Sequence, residues 1–121
     1  MSSEQAANIA SETISLSGLA GRYAIALFEL AQEQKNLDKV AEELGSLSSL
    51  LETSSELQML TTSPIISRKN QATAMSAMVK VAGFSKIVEN FISVLTVNRR
   101  LDQLGAIINE FNRYLSFHRG E

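Results

Sequence analysis

Residues 19–31 read LAGRYAIALFELA, and the fold class turns on this stretch. Set out at about 100° per residue, its polar members Arg22 and Glu29, joined by Glu33, share one narrow edge. The apolar arc spans about 200°, roughly twice what a helix on the surface of a small domain needs. It divides into two stripes, one of Ala20, Ala24, Leu27, Phe28 and Ala31, the other of Leu19, Tyr23, Ala26 and Leu30. One stripe suffices to join a core. The second is either enclosed by neighbouring helices or left for another chain to cover.

The same three-and-four periodicity continues outward, and alternation of the strand type is almost absent. It predicts a helix from a Ser17 cap to about Gln34, and another over 37–53, where Leu37, Val40, Leu44, Leu47 and Leu51 recur. A short helical piece, SELQMLTT, follows from Ser55. Pro64 marks a break, Ser67 caps a helix over 68–82, and Gly83 stops it. Ser85 caps a fifth helix, 86–98, and a sixth covers about 100–118, with Leu101, Leu104, Ile108, Phe111 and Leu115 inward. Gly45 interrupts the second helix at a cost of about 1 kcal/mol relative to Ala. The expectation is an all-α, compact six-helix bundle over 17–119, preceded by a flexible leader, 1–16.

With 121 residues the chain suits one domain. It has no Cys and one His, His118, so neither disulfides nor a transition-metal constellation is indicated. A net charge of −2 with interspersed signs carries no nucleic-acid footprint. No apolar run reaches the roughly 20 residues of a membrane span. The leader has neither the basic and apolar regions of a secretory signal nor the Arg of a mitochondrial transit peptide. No positioned base and nucleophile stand together, and Ser46, Ser48 and Ser49 have no base beside them in the pattern. The expectation is a non-enzyme that uses no cofactor.

The fifth helix repeats the surplus of the first. Val88, Phe91, Ile92 and Leu95 form one stripe, and Ile87, Asn90, Val94 and Val97 a second. Two such helices side by side make either the buried centre of a bundle or a groove for an amphipathic helix from a partner. Tyr23 and Asn90, apolar in body and polar at the tip, suit a groove rim. Elsewhere the pattern assigns Met59, Met75 and Met78 to the core. Arg68 and Lys69 read as a solvated first turn, with contact to an acidic surface as the rival. Arg99 and Arg100 read as structural cations that hold helix-end carbonyls or pair with Asp102, and His118 as an exposed residue on a fraying end.

Three motifs carry a resemblance. Arg22-Tyr23-Ala24, two residues, Leu27-Phe28 and Glu29 is similar to the first-helix motif of the ATP synthase delta subunit family, whose mitochondrial members are the oligomycin-sensitivity-conferring proteins. NFISVLTVNRRLDQLGAIINEF, residues 90–111, resembles its Asn-Phe, Asn-x-Arg-Leu and Leu–Ile–Phe pattern, and Ser63-Pro64 followed by Arg68-Lys69 resembles a third element. The resemblance implies a non-catalytic stator component of the proton-translocating F-type ATP synthase. Its N-terminal six-helix domain binds the N-terminal helical segment of the alpha subunit, chiefly between the first and fifth helices, and holds the catalytic head against rotor torque. The positions that match the family's groove lining are Tyr23, Ala26, Asn90 and Val94, which lie on the two surplus stripes; with their neighbours Leu19, Leu27, Leu30, Ile87 and Val97 they make the candidate groove. A C-terminal domain, which these residues do not include, is expected to reach the b-type stalk subunits. The expected place is the cytoplasmic face of a bacterial inner membrane, peripheral to it, with no direct insertion. The alternative is an unrelated helical adaptor that binds an amphipathic peptide.

Overall fold

The computed structural model describes residues 18–120, so the 1–16 leader and the Ser17 cap lie outside the described residues. Among those described there are six α-helices and no strand. They are α1 (Leu19–Glu33), α2 (Leu37–Thr53), α3 (Ser55–Thr62), α4 (Arg68–Ala82), α5 (Lys86–Val97) and α6 (Leu104–His118). The stretch expected to open the sixth helix is a separate 3-10 turn, Leu101–Gln103.

Each boundary has a local cause. Ser54 and Ser67 cap α3 and α4, their hydroxyls accepting from Leu57 N and Asn70 N at 3.1 Å each. Gly83 ends α4 at φ 71°, a left-handed conformation that glycine adopts without steric cost. Lys35 and Arg99 take the same position after α1 and α5, at φ 56° and 58°. In each case two amides fold back on the last turn. After α1 these are Lys35 N to Gln32 O at 3.0 Å and Asn36 N to Ala31 O at 2.8 Å.

Ser85 precedes α5, but its hydroxyl does not cap the helix. It donates instead to Glu43 Oε1 on α2, at 2.6 Å, while the Ser85 amide donates to both Glu43 oxygens at 2.9–3.0 Å. The cap of α5 is therefore a carboxylate from 42 residues away, where the positive end of the helix dipole favours it. That accounts for a Glu buried among the apolar residues of α2.

The core takes one stripe from each long helix. Ala20, Ala24, Leu27, Phe28 and Ala31 of α1 meet Val40, Leu44 and Leu47 of α2, Val88, Ile92 and Leu95 of α5, and Ile107, Ile108 and Phe111 of α6. The small residues of α1 let α6 approach closely, and this is the most extensive helix pair in the fold. The two helices run in the same direction: Phe28 meets Phe111 and Tyr114, at ring-centroid distances of 5.8 and 4.6 Å, and Gln32, one turn on, reaches His118. His118 is not idle at a fraying end. Its ring packs edge-on against Phe28 at 5.1 Å, with the Gln32 amide nitrogen 3.1 Å from its Nε2. By contrast α4 buries only Met75 and Val79, and leans on α5 from one side. Met59 is 63% exposed, so it is no core residue, whereas Met75 is buried and Met78 packs on the core edge.

Candidate functional site

α1 and α5 touch where Tyr23 of α1 reaches Phe91 and Asn98. Tyr23 is the joint. Its ring stands edge-on to Phe91, 6.3 Å between centroids, and its hydroxyl accepts from Asn98 Nδ2 at 3.0 Å. The backbone amide of Asn98 closes the end of α5 on Val94 O, and its side-chain amide donates to Tyr23, so one residue ties the helix end to the neighbouring helix. The Tyr23 hydroxyl keeps its own proton to donate outward. The pairing of Asn98 with Tyr23, 75 positions away, left no trace in helical periodicity.

Beside this contact the candidate residues divide. Leu19 and Tyr23 are half-buried, and Ala26 and Asn90 are exposed. Leu30 and Val94 are large apolar side chains left 41% and 47% exposed. These six, four on α1 and two on α5, are the members of the candidate strip that the fold leaves at least partly exposed. The remaining three are placed otherwise. Leu27 is 2% exposed and Ile87 8%, so both are core side chains beneath the strip and not contact residues on it. Leu27 lies about 60° around the helix from Leu30, within the stripe that faces α6. Val97 is exposed, but it borders a cavity between α5 and α4, because it is turned about 60° from Val94 toward that side.

The remaining charged groups bear little on chemistry. Arg99 and Arg100 form no ion pair with Asp102 among the described residues; Arg99 holds the helix end through its backbone, with its amide on Thr96 O at 3.2 Å. Arg113 pairs with Glu110 Oε1 at 3.1 Å, leaving the buried Oε2 without a partner. Burial, and then the Glu29 carboxylate, push the Tyr114 phenol above its ordinary value. Among the described residues no three His, Cys, Asp or Glu are grouped to hold a metal, and no helix is long and apolar enough to cross a membrane.

Residues 19–121 match the family model described as ATP synthase delta (OSCP) subunit. Among the curated relatives, the "ATP synthase subunit delta" of Parvibaculum lavamentivorans is 43% identical over 121 residues, covering 100% of this chain and 62% of that protein. The protein of the same name from a Bradyrhizobium species is 39% identical over 113 residues, covering 93% of this chain and 61% of its own length. The chain thus spans about three-fifths of the curated relatives it matches. Among solved structures, a chain of the Polytomella F-ATP synthase, in a reconstruction of the F1 head and rotor, superposes with a TM-score of 0.78 at 27% identity, covering 87% of this chain and 92% of that one. A chain of the Toxoplasma gondii mitochondrial ATP synthase hexamer gives 0.73 at 32% identity, covering 77% of this chain and 52% of that one.

Proposed function

Because the chain belongs to the ATP synthase delta (OSCP) subunit family, we propose that it works as a stator module, whose α1–α5 strip receives the N-terminal helical segment of the alpha subunit. The reading of an unrelated adaptor falls with the family match. The observation that carries the proposal is the strip itself: Ala26, Leu30, Asn90 and Val94 stand exposed on the two helices that Tyr23 joins through Phe91 and Asn98. An amphipathic helix laid along it would cover Leu30 and Val94 at about 25 cal/mol per Å² of apolar surface removed from water. Part of that gain offsets the ordering of a flexible tail. Ala26, with only a methyl group, lets the incoming backbone approach, and the Tyr23 hydroxyl and Asn90 amide bond its polar edge.

No bond is made or broken in this role. The domain's task is to resist torque. Contact with b-type stalk subunits would belong to residues beyond those that match here, and the position would be peripheral, at the cytoplasmic face of the bacterial inner membrane. The test is a titration of the chain with a peptide of the first 20 or so residues of its alpha subunit, followed by backbone amide shifts and calorimetry. Saturable one-to-one binding with shifts centred on 19–30 and 87–98 is expected. Ala26→Asp should weaken it at least about tenfold by placing a charge against apolar surface, with the melting temperature unchanged because Ala26 is exposed. Unchanged binding by that variant would place the alpha contact on another face.

A further inference from the structure

Two basic pairs that the stator reading leaves unused, Arg68-Lys69 and Arg99-Arg100, lie 31 positions apart in sequence. The fold brings three of these four cations to one place. Arg68, Lys69 and Arg99 all line a cavity of about 550 Å³ between α4 and α5. Its floor is not a surface wrinkle: Met75, Val79 and Ile92 are members of the core, so the trough is cut down to the packed interior. Arg68 and Arg99 also line an adjoining cavity of about 290 Å³, walled by Thr61, Thr62 and Ser63. Arg68 and Arg99 therefore border both the apolar trough and the hydroxyl-lined mouth beside it.

The charges around this junction are unbalanced. None of Arg68, Lys69 and Arg99 is in an ion pair among the described residues. Of the two carboxylates that border the cavities, Glu89 is already held by Lys86 at 3.2 Å, and Asp102 sits on the outer mouth. The amino-terminal end of α4 adds its own partial positive charge beside Arg68. The Arg99 backbone is held at φ 58° by the helix end, beside both cavities.

We propose that this trough is a binding site for a small anionic amphiphile, with a carboxylate between Arg68 and Arg99 and an aliphatic body over Met75, Val79 and Ile92. The volume decides for a small molecule, since pockets of roughly 300–1,000 Å³ with an apolar lining and a few convergent polar groups are what such ligands fill. The charge decides the head: two guanidinium groups offer paired donors to a carboxylate. The site is separate from the α1–α5 strip and stands whether or not that strip binds the alpha tail.

The probe is decanoate at monomeric concentrations, with 1-decanol as the neutral isostere, titrated into the whole chain and followed by amide shifts. Saturable one-to-one binding is expected, with shifts confined to 61–79 and 89–102 and decanol weaker by at least about tenfold, the worth of one charge-assisted hydrogen bond. R68Q/R99Q should bring decanoate to the decanol affinity and leave decanol unchanged. Ala72→Trp, at an exposed position on the wall of the trough, should weaken both. Equal affinity for acid and alcohol, a preference that survives R68Q/R99Q, shifts centred elsewhere or no saturation would each overturn the proposal. Shifts of the same residues that depend on protein concentration without ligand would give the trough to a second copy of this chain, and would overturn it equally.

Discussion

Single residues in this fold are held by conformations that composition does not announce. Lys35 occupies the left-handed region at φ 56°, where a Cβ carries a steric cost of about 1–2 kcal/mol. Lys35→Gly relieves it, against the extra chain entropy that glycine loses on folding, so a net gain of about 0.5–1 kcal/mol is expected. That would appear as a melting temperature several degrees higher in a calorimetric scan. Tyr114 gives a pH dependence. Its folded-state pKa lies above its ordinary value of 10.0, because burial and the Glu29 carboxylate disfavour the phenolate. At pH values between the two, the folded chain keeps a proton that the unfolded chain has lost. The contribution is therefore complete below about pH 10 and is lost as pH rises through the folded value. Urea unfolding above pH 10 should show a shallower loss of stability in Tyr114→Phe than in the parent chain.

At the scale of the helix, the lesson lies in what joins one element to the next. Gly45 stands in the middle of α2, exposed, and a methyl group built on it would meet nothing within 4 Å. No close approach requires a glycine there, so Gly45→Ala should gain up to about 1 kcal/mol from helix propensity alone. A rise in the denaturant midpoint with an unchanged slope would verify it. Glu43 behaves in the opposite way. It is a buried carboxylate that takes three hydrogen bonds from Ser85, and so pins the start of α5 to α2. Glu43→Ala strands the Ser85 amide and hydroxyl and should cost about 2–3 kcal/mol. Amide exchange should then accelerate first in the opening turn of α5, before the rest of the core.

At the scale of the molecule, α1 is the element on which both structure and proposed function depend. One side of it packs on α6 through Phe28, which touches Phe111, Tyr114 and His118. The other side carries Tyr23, Ala26 and Leu30 toward solvent and α5. These two roles should separate under mutation. Phe28→Ala should cost about 3–5 kcal/mol of stability by leaving a cavity at the centre of the fold, while Ala26→Asp should change binding and leave stability alone. The peripheral position of α4 matters at this scale too. A helix that buries only two side chains leaves room against α5, and the cavity there gathers cations from separate segments.

Helix number, order and most boundaries were legible in the chain because they depend on local chemistry. Periodicity marks the apolar faces, and Ser67, Pro64 and Gly83 punctuate them within a turn of where they act. The two stripes of α1 were legible for the same reason, as were the motifs that resemble the delta family. What one-dimensional pattern cannot resolve is which member of a wide apolar arc faces inward, since that depends on where the neighbouring helices lie. Ile87 went into the core for this reason and Val97 to the side facing α4, whereas Leu27, counted with the groove, lies in the core stripe where periodicity put it. Met59 fell at helical spacing, yet it lies on the outer face of a short helix. The contacts that join distant residues, Glu43 with Ser85, Tyr23 with Asn98 and the cations around the α4–α5 trough, exist only once the helices are packed. Local propensity determines the elements; the direction in which each side chain meets its neighbours is a property of the packed bundle alone.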